Sequence, residues 1–233
     1  IGMGEGAEIL AEKGNISRED QEEFAINSHK KSLVAIADGK FDNELVPVDK
    51  YGECIIDKDE GPREPDIDKI KSLNPAFIEK GTITAATSSP FSIGASALLL
   101  TSDSFAEKHE LKIRAKIVSR SVAGVDWKLF GMGPLPAVEK ALKKANLTID
   151  DVETIELNEA FAAQALYVIR KGGWDENKVN LNGGAIALGH PLGCSGARII
   201  TTLLNVMEQQ DTNIGLATMC IGSGQGIATV IKR

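Results

Sequence analysis

The stretch GGAIALGHPLGCSGAR, residues 183–198, places five glycines around His190, one of only three histidines in the 233-residue chain. Glycine lets the backbone adopt a positive φ or approach another group closely, and this freedom costs conformational entropy on folding. An imidazole on a rigid loop is suited to proton transfer near neutral pH. A lone histidine is more often structural than catalytic. The stretch therefore predicts a functional loop only if residues elsewhere in the sequence also point to a site.

Two further segments place a polar or reactive side chain at the end of a predicted strand. Asn158 begins NEAF directly after VETIEL, and Cys220 ends an apolar run before the glycine-rich IGSGQG. The amide is suited either to capping a helix or to fixing a water or a substrate carbonyl. The thiol is suited either to simple packing or to a site where N–H groups of the glycine turn stabilise an oxyanion. The glycine-rich turn IGSGQG joins two predicted strands. A dinucleotide-binding loop instead lies between a strand and the start of a helix, so the turn does not predict one.

The remaining histidines and cysteines have weaker claims to a role. His29 lies in NSHKKS and His109 in AEKHELK, and we expect both side chains to be solvated. Cys54, in a charged segment, and Cys194, between glycine and serine, are assigned no role. The histidines and cysteines lack the spacing of a metal-ligand set, so we expect no metal site.

The pattern of apolar residues predicts an α/β fold, a mixed β-sheet covered by helices. Ser17, with Asp20 at the capping-box position, predicts the start of the first clear helix. Residues 45–75 are charged and aperiodic and predict a long surface excursion. Residues from 81 predict a buried strand, a turn at Ser89 and a helix from about Gly94. The other predicted helices are 134–146, a helix directly after Asn158, and 195–210; the other strands are 113–122, 152–157, 179–182, 213–221 and 226–233.

Composition excludes several classes of protein. The chain is 42% hydrophobic, enough for one large domain or two small ones. A net charge of −7 lacks the basic excess typical of nucleic-acid binders, so we expect no nucleic-acid partner. No apolar run approaches the ~18 residues needed to cross a bilayer, so we expect no membrane span. Three cysteines without CxxC spacing indicate a reducing compartment, and we expect a cytoplasmic location.

The motifs together resemble the thiolase family. The segments that carry this resemblance are NEAFAAQ, GGAIALGHPLGCSGAR, CIGSGQGIA, GTITAATSSP, VAGVD with GMGPLPA, and the opening MGEGAEILAEKGNISREDQEEFA, so it covers essentially the whole chain. It implies a thiolase-like fold in three parts. Residues 1–80 would form an irregular, α-rich loop domain that contacts coenzyme A. Residues 81–106 would be a returning strand and helix of the N-terminal thiolase domain, and 107–233 the C-terminal domain.

The same resemblance implies an acyltransferase, either an acetyl-CoA acetyltransferase or a 3-ketoacyl-CoA thiolase of fatty acid metabolism. Such an enzyme cleaves a 3-ketoacyl-CoA with CoA, or joins two acetyl-CoA units in the Claisen direction. Coenzyme A thioesters would be its substrates, and no cofactor is implied. The sequence leaves open the preferred chain length, the direction of reaction, and whether the protein is a dimer or a tetramer.

Four residues carry over to catalytic roles in the family. His190 would deprotonate the nucleophilic thiol and help to form one oxyanion hole, and Asn158 would hold the water that completes it. Cys220 would be the second thiol, acting as acid and base. The backbone N–H of Gly222 would serve the other oxyanion hole.

Three further residues carry over to substrate binding. Ser89, in TSSP, matches the family's contact to the pantetheine arm of CoA. Phe77, in NPAF, and Phe161, in NEAF, would line the substrate channel.

One departure limits the resemblance. Thiolases use a nucleophilic cysteine in their N-terminal half, flanked by Asn and Ser-Gly, and neither Cys54 in GECII nor Cys194 in GCSGA matches it. We therefore expect the chain to lack the N-terminal half, to be inactive alone, and to need that half or a second copy as a partner. A non-catalytic thiolase-like subunit or CoA-binding module is the alternative. A ketoacyl-ACP synthase is disfavoured, because its chemistry uses two histidines.

Overall fold

The structure is a computed structural model that describes the backbone of residues 1–233 and every side chain except that of Cys54. Its strands are β1 Val48–Lys50, β2 Glu53–Ile56, β3 Lys116–Gly124, β4 Thr154–Leu157, β5 Ile214–Ile221 and β6 Gln225–Lys232. Its α-helices are α1 Met3–Gly14, α2 Arg18–Ala37, α3 Ile67–Ser72, α4 Asp103–Lys108, α5 Pro134–Ala145, α6 Ala162–Gly172, α7 Ala185–Leu188 and α8 Ser195–Gln210. Short 3₁₀ turns lie at Ala85–Thr87, Trp127–Met132, Ile149–Asp151 and Glu176–Lys178.

A four-stranded mixed sheet in the order β3–β6–β5–β4 forms the centre of the fold. β4 pairs parallel to β5, whereas β5 with β6 and β3 with β6 are antiparallel. Successive side chains of a strand face opposite sides, so Leu216 packs towards α5 and α6 while its neighbour Ala217 packs towards α8. The predicted mixed sheet covered by helices is therefore confirmed.

Capping residues explain where several predicted helices begin. The Ser17 hydroxyl accepts from the Asp20 N–H and the Asp20 carboxylate accepts from the Ser17 N–H, as predicted for the start of α2. Pro134 stands in the first turn of α5, where its missing N–H costs no hydrogen bond. α8 covers 195–210, the predicted range.

The N-terminal part of the chain is more regular than predicted. Helix α1 was missed, although it packs against α6 and buries Ala7 and Leu10. The excursion 45–75 contains the β1–β2 hairpin and α3. These elements are short, or carry few apolar residues, so their hydrophobic pattern is weak.

Two predicted strands and one predicted helix do not form. Only Val179 of the predicted strand 179–182 makes a bridge, to Ile155. The predicted strand from 81 contains a 3₁₀ turn, and 88–102 has neither helix nor strand. In this segment Phe91 and Ile93 are fully exposed, and Leu99 is largely so. A helix this short is stable only when packing buries one of its faces, and no described residue covers these side chains.

Among the described residues, no helix combines the length and hydrophobicity that crossing a membrane requires.

Candidate functional site

Asn158 lies just beyond the end of β4, on the neighbour of the strand that carries Cys220. Its N–H donates to the Thr218 carbonyl of β5 at 3.0 Å, and its side chain is fully buried. The helix that follows begins at Ala162 with Phe161 in the N-cap position, so Asn158 is not the helix cap. Its amide is therefore available for contacts within the site.

The His190 loop approaches the segment around residue 90 closely. Gly189 has φ of +98°, and a Cβ at this position would lie 2.3 Å from the Ser92 hydroxyl oxygen. The His190 N–H donates to the Pro90 carbonyl at 3.4 Å. Glycine is required at position 189, both for the backbone conformation and for the close approach.

Two side chains hold the His190 ring from opposite edges. Its Nδ1 lies 2.6 Å from the Ser195 hydroxyl in the first turn of α8, and its Nε2 lies 3.5 Å from the Asn158 amide nitrogen. The Ser195 hydroxyl donates its only hydrogen to the Pro191 carbonyl at 3.1 Å. On this network we assign the ring proton to Nδ1, which leaves the lone pair on Nε2 directed towards Asn158.

The protonation state of His190 follows from its surroundings. Burial lowers the pKa of the imidazole, and the positive charge of Arg198 lowers it further. The ring is therefore neutral at physiological pH, with Nε2 able to accept a proton.

Cys220 lies near the end of β5, opposite Gly226 in the hairpin. Burial raises the pKa of its thiol to about 12, so the sulfur stays protonated at neutral pH. The thiol packs in a buried apolar cluster that includes Ala160 and Phe161 of the segment following Asn158. Gly222 is exposed in the turn that follows, where a Cβ would meet no atom within 4 Å.

The three predicted substrate contacts lie around the same segment. Ser89 donates to the Ala160 carbonyl through both its N–H, at 3.1 Å, and its hydroxyl, at 3.0 Å. Phe77 and Phe161 meet edge to face with ring centroids 5.7 Å apart, and Phe77 is 44% exposed. The structure therefore brings Ser89, Phe77 and Phe161 together at NEAF.

Glu159 is a residue that the sequence interpretation missed. Its buried carboxylate accepts from the Ser28 hydroxyl at 2.7 Å, the Asn180 amide at 2.8 Å and the Ile186 N–H at 3.1 Å. Through these hydrogen bonds, Glu159 connects helices α2 and α7 to the segment that follows β4. A carboxylate placed between an apolar strand and an apolar helix is the signal that could have identified it.

The prediction that His29 is solvated is wrong, whereas His109 is exposed as predicted. His29 is buried in α2, where its Nδ1 accepts from the Arg63 N–H at 3.4 Å. Burial and the charge of Arg63 both lower its pKa. No group of three or more His, Cys, Asp or Glu among the described residues is arranged to hold a metal ion.

The arrangement can accept and donate protons near the carboxyl ends of β4 and β5. A neutral imidazole with its lone pair on Nε2, a buried amide and a protonated thiol lie at the carboxyl ends of the parallel strands β4 and β5 or on the loop beside them. Ligands of α/β sheets commonly bind at such strand ends. The buried oxygen of the Asn158 amide has no hydrogen-bond partner among the described residues, and so remains available to a bound molecule.

Comparisons with known sequences agree along the whole chain. The model of the thiolase N-terminal domain matches residues 1–104, and that of the thiolase C-terminal domain matches residues 111–233. A 3-ketoacyl-CoA thiolase of Acinetobacter baylyi is 55% identical over 239 residues, which cover 99% of this chain and 61% of that protein. A 3-ketoacyl-CoA thiolase of Psychrobacter cryohalolentis is 52% identical over 240 residues, with the same coverage.

Solved structures agree with the fold. The acetyl-CoA acetyltransferase of Bacillus anthracis superposes with a TM-score of 0.96 at 42% identity, covering all of this chain and 60% of that one. Human mitochondrial 3-ketoacyl-CoA thiolase in complex with CoA superposes with a TM-score of 0.93 at 36% identity, covering all of this chain and 59% of that one.

These comparisons also correct one expectation. Because residues 1–104 match the N-terminal domain model, the prediction that the chain lacks the N-terminal half is wrong as stated. The chain spans about three fifths of the length of the relatives that it matches. With both domain models matched and relatives above 50% identity, the chain belongs to the thiolase family.

Proposed function

We propose that this chain is part of a thiolase that cleaves 3-ketoacyl-CoA by thiolysis or condenses acetyl-CoA units in the Claisen direction. The observation that carries the proposal is the neutral His190 ring, held by Ser195 on one edge and facing Asn158 on the other. A base with this orientation is what activation of a thiol nucleophile requires.

His190 and Asn158 act on the nucleophile and on the oxyanion. His190 Nε2 takes the proton from a cysteine thiol that lies outside the three cysteines of this sequence. The thiolate then attacks the C3 carbonyl of the substrate, and His190 together with a water held by the Asn158 amide forms one of the two oxyanion holes of the reaction.

Cys220 acts at the leaving group. When the C2–C3 bond breaks, its electron pair remains on C2 of the departing acetyl-CoA, which takes the proton of the Cys220 thiol. A pKa of about 12 suits this step, because the sulfur holds its proton until a strong base forms beside it. The N–H of Gly222 serves the other oxyanion hole.

CoA and its thioesters bind near Ser89, which contacts the pantetheine arm, and between Phe77 and Phe161, which line the channel. The human mitochondrial relative with bound CoA supports CoA binding. The position of all three side chains at NEAF supports their part in it. CoA enters as a substrate, and the reaction as written needs no further cofactor.

We propose the same three-part organisation as the family, with a loop domain at 1–80, a part of the N-terminal domain at 81–106 and the C-terminal domain at 107–233. The partner that supplies the nucleophile is an N-terminal thiolase segment, and a homo-oligomer is the expected assembly. The free thiols Cys194 and Cys220 support a reducing, cytoplasmic location.

The test is reconstitution of activity. The chain is mixed with the separately expressed N-terminal segment of the Bacillus anthracis relative that it does not cover, and thiolysis of acetoacetyl-CoA is followed by absorbance. We expect turnover, and a loss of at least ~100-fold in kcat for His190→Ala, the lower end for general base catalysis. His109→Ala is the matched control, because His109 is an exposed histidine outside the site.

The alternative, a non-catalytic thiolase-like subunit or CoA-binding module, is favoured by the absence of the family's nucleophile motif around Cys54, Cys194 and Cys220. If the two segments associate but show no turnover, while the intact relative is active, the catalytic proposal is wrong. Calorimetry of CoA with the chain then tests the binding module directly.

A further inference from the structure

The carboxyl group of Glu159 lies between the two segments that carry Asn158 and His190. Its side chain is 2% exposed, and the residue follows Asn158 directly in the chain. One carboxyl oxygen accepts from the Asn180 amide at 2.8 Å, and the other accepts from the Ile186 N–H at 3.1 Å. The first of these hydrogen bonds leads to β4, and the second leads to α7.

Asn180 fixes the connection on the side of β4. Its Oδ1 accepts from the Leu157 N–H at 2.8 Å, and its Nδ2 donates to the Leu157 carbonyl at 2.8 Å. The same Nδ2 donates to the Glu159 carboxylate. One buried side chain therefore holds both the residue before Asn158 and the residue after it.

The Glu159 carboxylate also fixes the start of α7. This helix begins after Gly184, which has no side chain to accept from the first N–H groups of the helix. Glu159 supplies the missing acceptor for Ile186, in the first turn. Because only four residues separate Ile186 from His190, the position of α7 determines where the imidazole lies.

The start of α7 approaches Glu159 closely enough to require glycine. A Cβ at Gly184 would lie 2.3 Å from the carboxyl carbon of Glu159. The Gly184 N–H donates to the Ser28 hydroxyl at 3.1 Å, and this hydroxyl donates to Glu159 at 2.7 Å. Two routes, one direct and one through Ser28, therefore bind the carboxylate to the start of α7.

We propose that Glu159 is a positioning residue: its buried carboxylate sets the distance between the Asn158 amide and the His190 ring. Asn158 Nδ2 and His190 Nε2 lie 3.5 Å apart, although the residues are 32 positions apart in the chain. A peptide bond joins Asn158 to Glu159, and the hydrogen bond to Ile186 completes the connection to His190. The inference rests on the proposed function and extends it to a residue that touches neither substrate nor nucleophile.

The contacts require a carboxylate at position 159. A carboxylate accepts at both oxygens, whereas glutamine offers one acceptor oxygen and an NH₂ group that only donates. In Glu159→Gln the NH₂ group must face either the Asn180 amide or the Ile186 N–H, which are themselves donors. Asn180 cannot turn over to accept, because Leu157 engages both ends of its amide. One of the two connections is therefore lost in either orientation.

The test measures the contact between Asn158 and His190 in the chain itself by NMR. The nuclear Overhauser effect between the Asn158 side-chain amide hydrogens and the carbon-bound hydrogens of the His190 ring, the amide–ring signal, reports their distance. We expect this signal in the unmodified protein and expect Glu159→Gln to lose it. Its absence from the unmodified protein, or its full retention in Glu159→Gln, would overturn the proposal.

Glu8→Gln is the matched control for the loss of a buried carboxylate. Among the described residues, Glu8 accepts from the N–H of Thr82 at 2.8 Å, from its hydroxyl at 2.9 Å and from the Ile83 N–H at 2.9 Å. We expect Glu8→Gln to lower the free energy of unfolding in urea but to keep the amide–ring signal. Loss of the signal in both variants would mean that any destabilisation separates the two side chains, which contradicts the proposal.

A second pair of variants keeps the carboxylate and moves it. Gly184→Ala places a methyl group against the Glu159 carboxyl carbon, so we expect α7 to shift and the amide–ring signal to weaken. Gly193→Ala is the control in the same glycine-rich stretch, because a Cβ there meets no atom within 4 Å. An unchanged signal in Gly184→Ala, or an equal loss in Gly193→Ala, would overturn the proposal.

These spectra need no turnover, so they separate this inference from the proposed function. In the reconstituted enzyme, Glu159→Gln is expected to lower kcat roughly 10- to 100-fold with little change in KM, because a misplaced catalytic pair slows the reaction rather than substrate binding. Loss of the signal in Glu159→Gln, without turnover by the unmodified protein, would refute the proposed function and leave the role of Glu159 intact. Turnover by the unmodified protein, with the signal retained in Glu159→Gln, would do the reverse.

Discussion

His190 and Cys220 respond to burial in opposite directions, because the charged form is the protonated one for an imidazole and the deprotonated one for a thiol. Burial lowers the pKa of His190 and raises that of Cys220 to about 12. Both side chains are uncharged at neutral pH. The imidazole can take a proton and the thiol can give one.

The buried thiol predicts a low reactivity. Iodoacetamide attacks the thiolate, so we expect Cys220 to be alkylated far more slowly at pH 8 than it is in the protein unfolded in urea. Peptide mapping by mass spectrometry measures the modification at position 220 in both states. Equal rates in both states would mean that the Cys220 sulfur is exposed or its pKa ordinary.

The Ser195 hydroxyl predicts the tautomer of His190. Ser195→Ala removes the acceptor of the Nδ1 proton, so we expect a larger population of the tautomer protonated on Nε2. Because that tautomer cannot accept a proton at Nε2, we also expect kcat to fall roughly tenfold, a part of the ~100-fold or more that a general base contributes. Nitrogen NMR of the ring distinguishes the two tautomers, and His109 in the same spectrum is the internal control. A spectrum unchanged at His190 would show that Ser195 does not fix the ring.

The sequence could indicate His190 as a candidate because it stands among glycines, and Asn158 because it follows a predicted strand. That the two act together was implied only by the resemblance to thiolases. The sequence could not indicate that His29 is buried, since its burial depends on α2 packing against a segment more than 30 residues away. Side chains whose role is set by distant contacts leave little trace in local sequence.

At the scale of elements, β6 and the start of α5 are in direct backbone contact at Gly226 and Gly133, with no side chain between them. A Cβ at Gly226 would lie 2.1 Å from the carbonyl carbon of Gly133, and one at Gly133 would lie 2.4 Å from the Gln225 carbonyl oxygen. Backbone atoms on both sides cannot move as the end of a flexible side chain can. This contact fixes how closely β6 and the start of α5 approach.

The contact predicts unequal costs for two alanine substitutions in one hairpin. Gly226→Ala is expected to lower the free energy of unfolding by about 3 kcal/mol or more, as overpacking against backbone does. Gly222→Ala, where a Cβ has open space, is expected to cost less than about 1 kcal/mol. Urea unfolding followed by circular dichroism compares the two, and similar losses would contradict the close approach.

Helix α2, which begins with a capping box, and helix α8, which has a periodic apolar face, could be predicted from sequence nearly to the residue. Residues 88–102 could not. Their apolar character indicated a strand and a helix, but Phe91 and Leu99 find no partner to bury them among the described residues. Hydrophobic pattern predicts an element only where the surface that it needs is present.

For the molecule as a whole, stability depends on pH through its buried carboxyl groups. The pKa of Glu156 is about 8 in the folded protein, against an ordinary value of 4.5. Between these values the unfolded chain has released a proton that the folded protein retains. Unfolding is therefore increasingly favoured as pH rises through this window, at about 1.4 kcal/mol per pH unit for one such group.

Glu156→Gln is expected to remove this dependence. Relative to the unmodified protein, the variant should gain a few kcal/mol in the free energy of unfolding between pH 5 and pH 8, because its amide does not titrate. Urea unfolding at a series of pH values measures the free energy of unfolding of both proteins. Contributions from pKa shifts that both proteins share, such as that of Asp20, cancel when the two values are subtracted. A constant difference across the series would show that Glu156 is ionised throughout.

The order of strands has a consequence for biosynthesis. Strand β6 lies between β3 and β5 and pairs with one of them along each edge, so it joins the two halves of the sheet. The ribosome makes β6 about a hundred residues after β3. A nascent polypeptide on the ribosome therefore leaves the hydrogen-bonding edge of β3 that pairs with β6 without its partner until residues 225–232 have emerged. Contacts so distant along the chain slow the search for the native state. Chaperone capture during translation should therefore be strongest between the synthesis of residue 124 and that of residue 225.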